Sequence, residues 1–410
     1  GMATACLLNG CQVILKEVNQ KFLDGGLQRV KDNLTSAVKK GRMKQAVAEK
    51  LFGNLQGALD YAAFGKVDMV IEAVIEDLAL KQNIFADLEK ACTPECILST
   101  NTSTIDITKI AAKMKAPERI IGAHFFSPAH IMQLFEIVRT EATPAQVVLD
   151  TLALSKRLKK VPVVVGNCTG FAVNRVFFPY TMSAFLLADL GVDIYKVDQA
   201  IKAWGMPMGP FRLSDLVGGD VGLHVGSNFL ESFPDRVYAS QLLPLMNAQK
   251  RLGEKTGKGF YQYDAKRKQS NDAEGIAPIL AQARQAASAL PAAACSAAQR
   301  LSDAELVEFI FFPVVNEACR VLAEGIIIRA ADLDIASVLG MGFPPYRGGP
   351  LHWADSLGAA HVCDTLKRLE ATFGPFFKPC DYLVHCAARN QPLSAGVNNA
   401  GAAHATAGAA

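Results

Sequence analysis

The chain has 410 residues, half of them hydrophobic and a fifth charged, with a formal net charge of +3. That length suits two or three domains, and the balance is that of a globular protein with a sizeable core. Near-neutrality argues against a nucleic-acid partner, and no apolar run approaches the roughly 20 residues that span a bilayer. The ten cysteines are scattered, with no CxxC pair and no histidine–cysteine cluster at zinc spacing, so no metal is expected and a reducing compartment is.

In chain order, Met2-Ala3-Thr4-Ala5 opens a helix with small side chains, and a strand over 13–15 is followed by Glu17. A dinucleotide-binding fold needs a glycine-rich turn at a helix N-terminus for the pyrophosphate and an acid after the second strand for the ribose. Only Gly1 stands where the third glycine of such a turn belongs, next to Met2, and Glu17 lies at the spacing of the ribose acid. The expectation is a fold whose first strand and first two glycines are absent from this chain. Apolar runs at 67–71, 97–100, 120–123 and 161–165 then read as strands buried on both faces, with helices over 81–90 and 144–160 between them. Such alternation predicts a parallel, doubly wound sheet. The basic run at 156–160 reads as a solvated face.

From Gly170 onward helical patterns take over, and they repeat. Phe177-Phe178-Pro179 recurs as Phe311-Phe312-Pro313, Gly191 as Gly325 and Asp198 as Asp332, all 134 residues apart. Two copies of one helical unit can pack as a built-in pseudo-dimer. The expected layout is an α/β Rossmann-type domain over 1–166 and a first helical unit over 167–265. An alanine-rich linker over 266–300, a second helical copy over 301–389 and a disordered tail over 390–410 complete it.

The chemistry concentrates between 101 and 136. Asn101-Thr102-Ser103 supplies a hydroxyl, His124 an imidazole and Glu136 a carboxylate. Imidazole exchanges protons near neutrality, and a carboxylate beside it can hold one tautomer. Equally, a histidine followed by two phenylalanines can be a satisfied core residue. Ser103 can be a helix N-cap, and Asn174 can cap the first long helix of the second half.

Taken together, these residues resemble the 3-hydroxyacyl-CoA dehydrogenase family. Within it they are similar to the dehydrogenase part of the peroxisomal (glyoxysomal) multifunctional proteins of fatty-acid β-oxidation in plants and algae. The resemblance runs over residues 1–389. It rests on Ile71-Glu72-Ala73-Val74-Ile75-Glu76, Asn101-Thr102-Ser103, Gly122-Ala123-His124-Phe125-Phe126-Ser127-Pro128, and the run from Gly166 through Phe171 to Arg175. Gly257-Lys258-Gly259-Phe260-Tyr261 and Phe343-Pro344-Pro345-Tyr346-Arg347-Gly348-Gly349-Pro350 also carry it.

The resemblance implies NAD as cofactor and L-3-hydroxyacyl-CoA as substrate. It makes His124 the base, Glu136 its orienting acid, and Ser103 and Asn174 the contacts to substrate oxygens, in a cleft between domains. Gly1, Met2, Glu17, Glu72, Ala73, Glu76, Lys81 and Asn101 would line the cofactor site, and an enoyl-CoA hydratase/isomerase domain would precede this chain in its parent protein. A peroxisomal location is implied too, although the final Ala-Gly-Ala-Ala is no S-K-L-type signal. Two other readings stand beside this one. The chain could be another β-hydroxyacid dehydrogenase, a class that generally uses a lysine base. It could also be a catalytically impaired binding or scaffolding fragment that holds NAD weakly.

Overall fold

The computed structural model describes residues 1–396. It divides into two compact units, one of residues 1–168 and one beginning at Thr169.

The first unit runs α1 (Met2–Leu8), β1 (Val13–Lys16), α2 (Gln20–Lys39), α3 (Gln45–Phe52), β2 (Leu55–Ala58), β3 (Met69–Glu72), α4 (Leu78–Ala91) and β4 (Ile97–Thr100). It continues with α5 (Ile107–Ile110), β5 (Ile120–Phe125), β6 (Leu134–Arg139), α6 (Ala145–Arg157) and β7 (Val161–Gly166). This is a Rossmann-type α/β unit whose five-stranded sheet follows chain order from β3 to β7, with β1 and β2 paired separately. Among the described residues β1 bonds only to β2, and β3 only to β4, so each carries one unpaired edge.

The sheet is not uniformly parallel as expected. β3, β4 and β5 run parallel, β6 returns antiparallel to β5, and β7 runs parallel to β6. The reason is length: a parallel return needs a crossover of a dozen or more residues, and the loop between β5 and β6 is shorter than that. All six residues of β5 are buried. At its centre a Cβ on Gly122 would sit 2.6 Å from Val138 Cβ and 2.7 Å from Ile107 Cδ1, so only glycine lets α5 and β6 close on it.

The second unit contains α7 (Val173–Asp189), α8 (Ile194–Trp204), α9 (Pro210–Val217), α10 (Gly219–Ser232), α11 (Leu242–Ala248), a hairpin of β8 (Tyr261–Tyr263) and β9 (Gln269–Asn271), α12 (Ala273–Ala286) and α13 (Ala292–Gln299). After these come α14 (Asp303–Ala323), α15 (Ala330–Met341), α16 (Pro350–Leu357), α17 (Ala359–Phe373) and α18 (Asp381–Arg389). The order α7–α8–α9–α10 recurs as α14–α15–α16–α17. α7 packs on α14, with the Tyr180 and Phe311 rings 5.5 Å apart, and Trp204 lies 4.3 Å from Phe311.

One match in the repeat is corrected. Asp198 accepts from the Phe211 and Arg212 amides and so caps α9; the residue that does this for α16 is Asp334, which accepts from Leu351 and His352. Asp332 instead pairs with Arg329 at the start of α15. The register slips by two because Asp193, the N-cap of α8, follows Gly191 by two residues, whereas Arg329 follows Gly325 by four.

The segment expected to be a linker is structured. Ile276, Ile279, Ala283, Ala294 and Ala298 are buried. Arg284 Nε donates to the Ala188 carbonyl at 3.0 Å, and Arg251 pairs with Asp272 at 2.7 Å. Alanine-rich helices lack bulk but pack closely for that reason. The first residues of the expected tail are ordered: Leu393 is fully buried, its amide donating to Asp355 and its carbonyl accepting from Tyr382. Residues 397–410 lie outside the described residues.

Candidate active site

The antiparallel pairing of β5 and β6 sets His124 directly opposite Glu136. Side chains opposite one another across two strands share a face, so the register alone brings imidazole and carboxylate together. His124 Nδ1 lies 2.7 Å from Glu136 Oε2; Glu136 is fully buried and His124 is 6% exposed. The ring rests against Phe126, with centroids 4.7 Å apart. A carboxylate at Nδ1 keeps the ring proton there, which makes Nε2 the basic nitrogen of the neutral ring.

The loop after β4 lies next to this pair, because β4 and β5 are neighbours in register. Asn101 ties it down: its amide donates to the Glu72 carbonyl, and its Oδ1 accepts from the Phe125 amide, both at 2.8 Å. Glu76 holds the rest, accepting from Thr102 Oγ1 at 2.9 Å and from the Ser103 amide at 2.9 Å. Ser103 is therefore a half-exposed hydroxyl on a fixed loop. It is not a helix N-cap, since Asp106 caps α5 by accepting from the Thr108 amide. Asn174 is no N-cap either; it is the second residue of α7, which Ala172 caps.

Two of the residues expected at the cofactor site, Glu72 and Lys81, form a buried pair. Their charged groups are 2.8 Å apart, and the remaining carboxylate oxygen of Glu72 accepts from Thr100 Oγ1. Glu76 stands 3.5 Å from the same ammonium. A buried ammonium needs its counter-charge in contact. Glu72 and Lys81 are buried, while Ala73 and Glu76 stay at the surface.

Glu17 follows β1 half-buried, its amide donating to the Ala58 carbonyl. Exposed Val18, Val74 and Ile75 follow the same two strands, β1 and β3, at the carboxyl ends where open α/β sheets take nucleotides. Gly1 is the N-cap of α1, and no acid stands in the first turn, which includes Met2, to oppose a phosphate.

Sequence reasoning included Thr102, Asn167 and Lys160 in its motifs and runs but gave them no role at the site. Asn167 donates to Asp106 and accepts from the Ile107 amide, clamping α5 to the end of β7. Lys160, expected on a solvated face, donates at 2.5 Å to the carbonyls of Ala129 and Met132 and so pins the loop after His124. Burial holds its ammonium below the usual lysine range. Local sequence carries no signal for such carbonyl partners. Among the described residues no helix is long and apolar enough to cross a membrane, and no group of three or more acidic, histidine or cysteine side chains is placed to hold a metal.

The family model of the 3-hydroxyacyl-CoA dehydrogenase NAD-binding domain matches residues 1–168, and that of the C-terminal domain matches 170–263 and 306–393. The chain is 55% identical over 395 residues to the glyoxysomal fatty acid beta-oxidation multifunctional protein MFP-a of Brassica napus, covering 96% of this chain and 54% of that protein. It is 36% identical over 390 residues to the fatty acid oxidation complex subunit alpha of Pseudomonas aeruginosa, covering 92% of this chain and 52% of that one. The chain thus spans about half the length of the curated relatives it matches. Among solved structures, 3-hydroxybutyryl-CoA dehydrogenase from Escherichia coli superposes with a TM-score of 0.81 at 27% identity, over 95% of this chain and 96% of that one. The dehydrogenase part of multifunctional enzyme 1 from C. elegans gives 0.62 at 28% identity, over 94% and 86%. The two family models between them match most of the chain, and the chain belongs to the NAD-dependent 3-hydroxyacyl-CoA dehydrogenase family.

Proposed function

We propose that the protein oxidises L-3-hydroxyacyl-CoA to 3-oxoacyl-CoA, as the dehydrogenase part of a multifunctional protein of peroxisomal fatty-acid β-oxidation. The observation that carries this reading is the register-matched His124–Glu136 pair beside the braced Asn101–Ser103 loop. His124 Nε2 takes the proton of the 3-hydroxyl, and the Glu136 carboxylate stabilises the imidazolium that results. Ser103 Oγ donates to a substrate oxygen, fixing C3 for transfer, and Asn174 is proposed as a further substrate contact. NAD, when bound, supplies the acceptor for the C3 hydride. Gly1, Met2, Glu17, Glu72, Ala73, Glu76, Lys81 and Asn101 are the residues that would line its site.

A lysine-based β-hydroxyacid dehydrogenase is disfavoured at Lys81, because its ammonium is buried between Glu72 and Glu76. The packed repeats of the second unit fit a built-in pseudo-dimer, and an enoyl-CoA hydratase/isomerase domain preceding this chain belongs to the same proposal.

The test is NAD reduction by L-3-hydroxybutyryl-CoA against free 3-hydroxybutyrate. Turnover should require the CoA ester, and His124→Ala should lower kcat on the order of 10²- to 10⁴-fold, with NAD affinity unchanged. Equal turnover of the free acid, or full activity in the variant, would overturn the proposal.

A further inference from the structure

We infer that Arg175 is a positioning residue for Asn174, and that the second helical copy acts on Asn174 through it. The inference rests on the reading above that Asn174 touches the substrate. Asn174 and Arg175 are neighbours in the first turn of α7. The chain enters that turn through two left-handed residues, Gly170 at φ +75° and Phe171 at φ +50°, and the Arg175 amide donates to the Gly170 carbonyl at 3.1 Å. A Cβ on Gly170 would lie 2.4 Å from Phe229 Cζ, so the approach leaves no room for another residue. A non-glycine residue at positive φ persists only where its surroundings over-determine it.

Arg175, at the end of this approach, is held from the other copy. Arg175 is 1% exposed. Its Nε donates to Glu317 at 2.7 Å, and its two terminal nitrogens grip Glu324 at 2.6 and 2.7 Å, acceptors 142 and 149 residues further along the chain. Glu317 lies in α14 and Glu324 is its C-cap. Arg320 fixes Glu317 in turn at 3.0 Å, while Arg175 and Arg236 both lie on the Phe233 ring, at 4.7 and 4.8 Å. A guanidinium held by a bidentate carboxylate and a second acceptor has its plane and its distance set. The backbone that carries it, one residue from Asn174, is set with it. A buried ion pair can also be merely structural, contributing to the fold and nothing to the site. The two roles make different predictions.

The experiment compares Asn174→Ala, Glu324→Gln, Glu324→Asp and the Asn174→Ala/Glu324→Gln double variant in the full-length protein, with L-3-hydroxybutyryl-CoA and NAD. The Glu324 side chain is 43% exposed, which lets its variants fold. Glu324→Gln should lower kcat/KM on the order of tenfold without changing NAD affinity, and Glu324→Asp should restore most of it. In the Asn174→Ala background the same change should have no further effect, because both act through one contact. Losses that multiply in the double variant, or a lowered Tm with kcat/KM intact in Glu324→Gln, would overturn the inference alone. An unchanged kcat/KM in Asn174→Ala would overturn the substrate-contact reading of that residue, and this inference with it.

Discussion

At the scale of residues, one hydrogen bond separates a core histidine from a base. Read along the chain, His124 is compatible with both. The structure gives it a buried carboxylate at 2.7 Å, a costly group to bury unless it has a partner that holds its charge. Glu136→Gln keeps the shape and removes the charge. It should therefore leave the fold intact while lowering kcat by up to about 10⁴-fold, the loss seen when the aspartate of a Ser-His-Asp triad is neutralised. Thermal unfolding and steady-state kinetics on one sample check this, and a variant with normal kcat would show that the pair only fills space. The identities of His124, Glu136, Ser103 and Asn101 were legible from the motifs. The roles of Glu72 and Lys81 were not, because their partners lie on different elements and burial is not a local property.

At the scale of elements, the repeat shows how a small shift in sequence register hides equivalence. Asp198 and Asp334 do the same work for α9 and α16, and each lies against a glycine (Gly209 or Gly349) where a Cβ would come within 2.3 Å of it. Burial pushes both carboxyls up to about 6. Because the folded value exceeds the unfolded one near 4, each group's contribution to stability is present below about pH 4 and is lost as pH rises through 6. Asp334→Asn removes that dependence. Its destabilisation should be larger at pH 5 than at pH 7.5, growing by up to about 1.4 kcal/mol per pH unit between 6 and 4. Urea midpoints at the two pH values measure it, and a larger effect at pH 7.5 would contradict the assignment. One of the strands missed by sequence reading, β6, belongs to this scale as well. Its six residues are as apolar as a helix segment of equal length, and only its pairing with β5 and β7 defines it.

At the scale of the whole molecule, nearly all of α7 is buried within the second unit, including Val176, Phe177, Tyr180, Ala184 and Leu187. Much of its cover is α14. Ending the chain before Ser302 removes that cover, so the shortened protein should self-associate, visible as a concentration-dependent shift in size-exclusion chromatography; a stable monomer would show that α7 does not need the second copy. The alternation of strands and helices, the change to helices near Gly170, the duplication and the reactive residue types were all determined by sequence alone, because they are periodicities and identities that a linear reading preserves. Tertiary structure decided the rest: the antiparallel return that sets His124 opposite Glu136, the burial of Lys81, the choice of Asp334 over Asp332, and the packing of residues 273–299. Each depends on partners brought from distant positions, and free energies of pairing and burial belong to the pair rather than to either residue.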